Sequence, residues 1–118
     1  MSVTVLIVDD HPSFRASART LLEAEGYDVV GEAKNGESAV AAVRDLHPDL
    51  VLLDVQLPDL DGFQVADRLR KLEDPPAVIL TSSRDRADYG RCIGDCGARG
   101  FVPKADLSGA AIAALFAA

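Results

Sequence analysis

Tryptophan is absent from this sequence, methionine occurs once, cysteine twice, and aromatic residues make up only 5% of the 118 positions. Two cysteines, Cys92 and Cys96, are too few for the disulfide framework that staples small secreted folds, so the chain reads as cytosolic. Basic side chains are also scarce: 12 Lys and Arg stand against 19 Asp and Glu, giving a formal net charge of -7 and a pI of about 4.6. Surfaces that grip nucleic acid answer the phosphate backbone with clustered Lys and Arg. The deficit argues against direct nucleic-acid contact by this segment and suits a site that holds a cation. No run of about 18 apolar residues exists, so no membrane span is expected. The start, Met1-Ser2-Val3-Thr4-Val5-Leu6, has neither a basic leader nor a small-residue cleavage site.

Internal repeats, low-complexity tracts and interior linkers are lacking too, and residues 1–118 read as a single domain. With 48% apolar residues, the chain can bury one core of its own.

What is present is alternation. Val3 to Val8 is an almost unbroken apolar run, as in a strand buried on both faces of a parallel sheet. Asp9 and Asp10 end it, and Pro12 suits the first turn of a helix whose apolar face carries Phe14, Ala18, Leu21 and Leu22. Gly26 closes that helix. Asp28 to Ala33 is a short strand, broken by Asn35-Gly36, and Ala39, Val40, Val43 and Leu46 mark the next helix. Leu50 to Leu53 is a second strongly apolar strand ending in Asp54. A turn-rich loop, Gln56 to Gly62, precedes a helix marked by Val65, Leu69 and Leu72. Ala77 to Leu80 is a buried strand ending in Thr81-Ser82-Ser83, and a fourth helix is expected over Asp85 to Asp95. Gly100 to Val102 is a last short strand, followed by Pro103-Lys104 and an Ala-rich helical tail from Leu107. Strand-then-helix alternation of this kind predicts an α/β fold, a doubly wound five-stranded parallel sheet with helices on both faces.

In such sheets, ligands sit beyond the carboxyl ends of the strands. Four of those ends carry polar groups here: Asp9 and Asp10, Asp54, Thr81, and Lys104. Carboxylates gathered at one place repel by roughly 4 kcal/mol per pair at about 4 Å and an effective dielectric near 20, so a proton or a cation must intervene. A hard divalent ion that shares phosphate oxygens, such as Mg²⁺, is the natural partner. A carboxylate can attack a phosphoryl group, and Asp54, alone at the end of the central strand, is the candidate. Lys104 can pair a phosphoryl oxygen, and the Thr81 hydroxyl can donate to another.

These residues resemble a known family, the receiver domains of bacterial two-component response regulators. The marks are Val8-Asp9-Asp10, the stretch Leu53-Asp54-Val55-Gln56-Leu57-Pro58-Asp59-Leu60-Asp61-Gly62, Leu80-Thr81-Ser82, and Gly100-Phe101-Val102-Pro103-Lys104. Each is weak alone; in this order and spacing they are specific, and they span essentially the whole chain. The resemblance implies a flavodoxin-like sheet in strand order 2-1-3-4-5, with Asp54 as phosphoacceptor. It implies Mg²⁺ held by Asp10 and Asp54 directly, by Asp9 largely through water, and by the backbone carbonyl of Gln56. Thr81 and Lys104 would contact the phosphoryl group, and Phe101 would turn inward as Thr81 moves. The implied partners are a sensor histidine kinase, an output domain, and a second copy on phosphorylation.

Three positions depart from the family pattern. Pro103 precedes the lysine and Ala105 follows it, so the usual cis Lys-Pro bond is unavailable and the loop must place Lys104 another way, a non-proline cis bond being one route. Receivers joined to LuxR-like helix-turn-helix output domains often lack that proline, which points to a transcription regulator. Phe101 replaces a common Tyr, and Ser82 replaces a common Ala.

Competing readings are weaker. A phosphohydrolase resembling the haloacid dehalogenases wants a second Asp two residues past its nucleophile, where this chain has Gln56. A flavin module wants Ser, Thr and Gly in the first loop, which here is Asp9-Asp10-His11-Pro12. A receiver that binds partners without being phosphorylated is disfavoured by the intact polar set. Asp9-Asp10 could merely cap a helix, and Asp59 and Asp61 fit turn roles. Tyr89, Cys92, Ile93 and Cys96 fall at helical spacing and fit an apolar stripe better than a redox pair. His11 is expected to be exposed, and His47 to end a helix. The residues after the expected fifth helix are too few for a DNA-binding domain, so the segment is expected to be either a stand-alone receiver or the front of a longer regulator.

Overall fold

The structure, a computed structural model, describes residues 2–84 and 86–116, without the side chain of Arg86. Five strands, β1 (Thr4–Val8), β2 (Asp28–Ala33), β3 (Leu50–Asp54), β4 (Ala77–Ser82) and β5 (Gly100–Pro103), pair in parallel in the order β2-β1-β3-β4-β5. Between them run α1 (Pro12–Ala24), α2 (Gly36–Leu46), α3 (Gly62–Arg70) and α4 (Cys92–Asp95); α5 (Gly109–Phe116) follows β5.

The apolar runs become the three central strands because both of their faces are covered. Side chains alternate across a strand. On one face Leu6, Val8, Val51, Leu53, Val78 and Leu80 pack with α2, α3 and Ile93. On the other, Val5, Ile7, Leu50, Leu52 and Ile79 pack with Ala18 and Leu22 of α1 and Ile112 of α5. Val5 to Val8 and Leu50 to Leu53 are fully buried. At about 1.5–3 kcal/mol for each large side chain removed from water, this core is the main source of stability.

Local chemistry starts and stops the helices. Asn35 and Ser38 form a capping box on α2, and Asp61 and Gln64 do the same on α3. His47 ends α2 in the left-handed region (φ 48°), as a helix-terminal residue.

The fourth helix departs from the expectation over Asp85 to Asp95. Its α-helical part is only Cys92–Asp95, preceded by a 3₁₀ turn at Arg86–Asp88, while residue 85 lies outside the described residues. Gly90, at φ +55°, breaks any continuous helix there. The supposed apolar stripe is correspondingly incomplete: Ile93 and Cys96 are buried and Tyr89 half-buried, but Cys92 is exposed. The third helix stops at Arg70, so Leu72 packs from beyond its end.

No cis peptide bond occurs among the described residues. Lys104 is placed instead by extended Pro103 (φ -57°, ψ 143°) followed by a 3₁₀ turn over Lys104–Asp106. No helix among the described residues is long and apolar enough to cross a membrane.

Candidate functional site

The strand order sets the site. β1, β3 and β4 lie side by side, so their carboxyl ends open onto one crevice. Asp9, the first residue past β1, keeps its backbone in the sheet by donating its N–H to the Ala33 carbonyl at 3.0 Å. Asp54, the last residue of β3, is the cross-strand neighbour of Thr81 in β4. Lys104 arrives from beyond β5.

Lys104 Nζ lies 2.7 Å from Asp9 Oδ2 and 3.6 Å from Asp54 Oδ2. The lysine therefore sits closer to Asp9 than to Asp54. Asp9 is fully buried and Asp54 is 2% exposed, whereas Asp10 is exposed at the rim. Burial, and next the charge of Asp9, push the Asp54 carboxyl up to about 6, against the pull of Lys104 and of the Gln56 N–H that donates to Asp54 Oδ1 at 3.3 Å. Thr81 is fully buried, and its hydroxyl has no hydrogen-bond partner among the described residues. An orphaned buried hydroxyl costs about 1–3 kcal/mol, and an acceptor arriving at Asp54 would relieve that cost.

The crevice suits one small cation. One ligand atom from each of Asp9, Asp10, His11 and Asp54 falls within 4.8 Å of the others. His11 Nδ1 stands 3.0 Å from Asp9 Oδ1 and 3.1 Å from Asp10 Oδ1. Asp9 does not cap α1 with its side chain: His11 is the N-cap, without a side-chain cap bond, and its N–H donates to Asp9 Oδ1 at 2.8 Å. Gln56 is exposed at the start of the β3–α3 loop, where it bridges to Asp61.

That loop is held close by Gly62, where a Cβ would meet the Asp54 carbonyl oxygen at 2.6 Å and Val55 Cα at 2.7 Å. Both are backbone atoms with nowhere to go, so only glycine lets α3 begin against the Asp54 strand end. Asp59 and Asp61 are loop residues, as expected, but Asp59 does more than turn the chain. Its carboxylate accepts from the N–H groups of Gly36 at 2.7 Å and Glu37 at 2.9 Å, which hold its carboxyl below the usual range.

Four residues around the crevice, Phe14, Arg15, Arg19 and Glu32, are not legible in the sequence as neighbours of the site. Arg15 donates to the Asp9 carbonyl at 2.6 Å and to Glu32 at 3.0 Å, and Arg19 holds the other oxygen of Glu32 at 2.9 Å. Burial pushes the Glu32 carboxyl up, but its hydrogen bonds from Arg19 and Arg15 more than offset that and lower it. Phe14 sets its ring 4.4 Å from Lys104 Nζ. The signal available was positional: Phe14 and Arg15 follow the acidic pair by about one helical turn.

Phe101 is 6% exposed, its ring 5.6 Å from that of Tyr89. A phenyl ring has no hydroxyl to hold it at the surface, and Tyr89 and Phe63 offer an aromatic pocket. Ser82 is fully buried, its Oγ 2.7 Å from the Tyr89 hydroxyl.

Residues 5–114 match the family model of the response regulator receiver domain. The chain belongs to that family. The receiver is 38% identical, over 98% of its length, to the DNA-binding transcriptional activator EvgA of Escherichia coli K12, covering 57% of that protein. It therefore spans about half the length of its curated relatives. Among solved structures it resembles a LuxR-family two-component response regulator from Aurantimonas (29% identity, TM-score 0.89, covering 99% of the receiver and 86% of that chain). It also resembles the NarL receiver domain from Mycobacterium tuberculosis (34% identity, TM-score 0.86, covering 97% and 96%). The receiver is thus a phosphorelay switch of the two-component type, with transcription regulators among its relatives. Receivers take Mg²⁺ at an acidic pocket, and this one has such a pocket.

Proposed function

We propose that Asp54 is the phosphoacceptor of this receiver. The observation that carries it is the environment of one carboxylate: buried at the end of the central strand, 3.6 Å from Lys104 Nζ, and paired across the sheet with an unpartnered Thr81 hydroxyl. An Asp54 carboxylate oxygen attacks the donor phosphorus, the phosphorus bond to the donor's leaving group breaks, and the new acyl phosphate sits where Lys104 and Thr81 can hold its oxygens. Lys104 has only to swing from Asp9 towards the incoming charge, and Thr81 gains the acceptor it lacks. Hydrolysis reverses the state when water attacks the same phosphorus and inorganic phosphate leaves.

The donor set is all oxygen apart from His11, which fits Mg²⁺. Asp10, Asp54 and the Gln56 carbonyl would hold the ion directly, and Asp9 largely through water. Bound there, the ion would neutralise the carboxylates and the incoming phosphoryl oxygens.

The same reading extends to partners. Residues 1–118 act as one domain in the cytoplasm, phosphorylated by a sensor histidine kinase and controlling an output domain, transcriptional as in the named relatives. The signal leaves through Thr81, beside which Ser82, Tyr89 and Phe101 are packed, towards α4, β5 and α5. A second copy is the expected partner of the phosphorylated form. The switch is a population shift between two packings.

The test is labelling by acetyl phosphate with Mg²⁺, read by intact mass. The parent protein gains one phosphoryl group and Asp54→Asn gains none; undiminished labelling of the variant would defeat the assignment.

A further inference from the structure

We propose that Arg15 is a positioning residue for the acidic pocket: by holding the Asp9 carbonyl it fixes the Asp9–Asp10 peptide, and so sets the direction of the Asp10 carboxylate. This role rests on the reading of the crevice as a Mg²⁺ site, and it belongs to a side chain on α1 that the phosphoryl chemistry does not use.

The Asp9–Asp10 peptide lies where the sheet stops supporting the chain. β1 ends at Val8, and the Asp9 N–H still donates to the Ala33 carbonyl of β2 at 3.0 Å. The Asp9 carbonyl instead accepts from Arg15 Nη1 at 2.6 Å. Asp10 comes next, exposed at the rim, and among the described residues its one ion-pair partner is His11 Nδ1 at 3.1 Å. Little packing directs that carboxylate, so its backbone must. A peptide unit moves as a plane, and a carbonyl swung away from Arg15 would carry the Asp10 N–H and Cα with it.

Arg15 is itself held in place. Its side chain is 18% exposed, and its Nε donates to Glu32 Oε1 at 3.0 Å. Arg19 Nε takes the other oxygen of Glu32 at 2.9 Å. Glu32 stands on β2 as the cross-strand neighbour of Ile7 in β1. One rigid guanidinium thus joins the exit of β1 to β2, through two donors at a fixed angle that a lysine does not have. The cluster is neutral as a whole: Arg15 and Arg19 are matched by Glu32 and by Glu23, 3.5 Å from Arg19 Nη1. An unpaired cation behind the acidic pair would oppose a second one in the pocket. Paired as it is, Arg15 acts through the position of a peptide and not through its charge.

Mg²⁺ binding, read by calorimetry, tests this on the parent, Arg15→Met and Arg19→Met. Methionine keeps an apolar stem and removes the fork. Partners that orient a metal ligand commonly carry about 10- to 100-fold in affinity, so Arg15→Met should bind Mg²⁺ roughly tenfold more weakly, and Arg19→Met within about twofold of the parent. The ratio between Arg15→Met and the parent should hold from about 0.1 M to about 1 M NaCl, although the screening length falls from about 10 Å to about 3 Å. Labelling of Arg15→Met by acetyl phosphate should regain the parent rate once Mg²⁺ is saturating. Arg15→Lys, which keeps the charge, should stay several-fold weak, and it carries the test should Arg15→Met fail to fold. A variant that lowers the urea midpoint in EDTA yet binds Mg²⁺ like the parent would overturn the positioning role and leave a structural one. A ratio that vanishes at high salt, or parent-like affinity in Arg15→Lys, would overturn it in favour of charge. Failure of the parent to bind Mg²⁺ would overturn the reading of the crevice as well.

Discussion

Lys104 lies between two partners on either side of the β1–α1 loop, its ammonium 2.7 Å from Asp9 Oδ2 and 4.4 Å from the centre of the ring of Phe14 in α1. A lysine on four rotatable bonds needs something to hold it, and here no proline follows it. The Phe14 face supplies a cation–π contact from α1, worth about 0.5–2 kcal/mol as it becomes desolvated. Phe14→Leu keeps most of the apolar burial and loses the ring face. It should weaken beryllofluoride binding by roughly fivefold, equivalent to about 1 kcal/mol. Phe14→Tyr should restore it. Equal affinities for Phe14→Leu and the parent would show that the ring does not position the lysine.

Burial and the neighbouring Asp9 charge raise the Asp54 carboxyl to about 6 from its ordinary 3.8. The folded state therefore binds that proton more tightly than the unfolded chain. Between about pH 4 and pH 6, stability due to this group falls as pH rises, and above about 6 the full cost is present. Asp54→Asn removes the charge. Without divalent ions it should be more stable than the parent near pH 7 by on the order of 2–3 kcal/mol. The gap should close as pH falls towards 4. Denaturant melts in EDTA across that range measure it, and a gap that widens at low pH would contradict the assignment.

Asp59 ties the β3–α3 loop to the start of α2 through the Gly36 and Glu37 N–H groups. It acts as a helix cap delivered from another part of the chain. Asp59→Ala should lower the urea midpoint, as losing a capping carboxylate does, while Asp59→Asn should retain most of the parent's resistance. Urea denaturation of the two variants separates the capping role from a turn preference, which would leave Asp59→Ala near the parent.

Ser82 and Tyr89 share a hydrogen bond of 2.7 Å that joins the end of β4 to the segment before α4. A double-mutant cycle with Ser82→Ala and Tyr89→Phe should give a coupling energy of about 0.5–1.5 kcal/mol in the unphosphorylated protein. If the switch runs through this bond, the coupling should shrink with beryllofluoride bound. A coupling that is zero in both states would remove the bond from the pathway.

Much of the receiver was legible in the residues themselves. Val5 to Val8 and Leu50 to Leu53 can only be strands covered on both sides, because no polar position along them tolerates water. Asp9, Asp10, Asp54, Thr81 and Lys104 stood out as polar groups where apolar runs end, and the fold brings their segments to one crevice. Local periodicity did mislead at α4, where Tyr89, Cys92, Ile93 and Cys96 keep helical spacing but Gly90 breaks the backbone.

Tertiary structure alone decided the contacts between distant segments. No pattern within α1 announces that Phe14 backs Lys104 or that Arg15 holds the Asp9 carbonyl and Glu32. Nothing near Asp59 points to the start of α2, and nothing near Phe101 says that Tyr89 will receive its ring. Burial patterns and strand ends are written locally, since each residue's own polarity selects its side of the sheet. Which charged, aromatic and hydroxyl groups then meet depends on strand order and crossover geometry, and these bring together residues tens of positions apart.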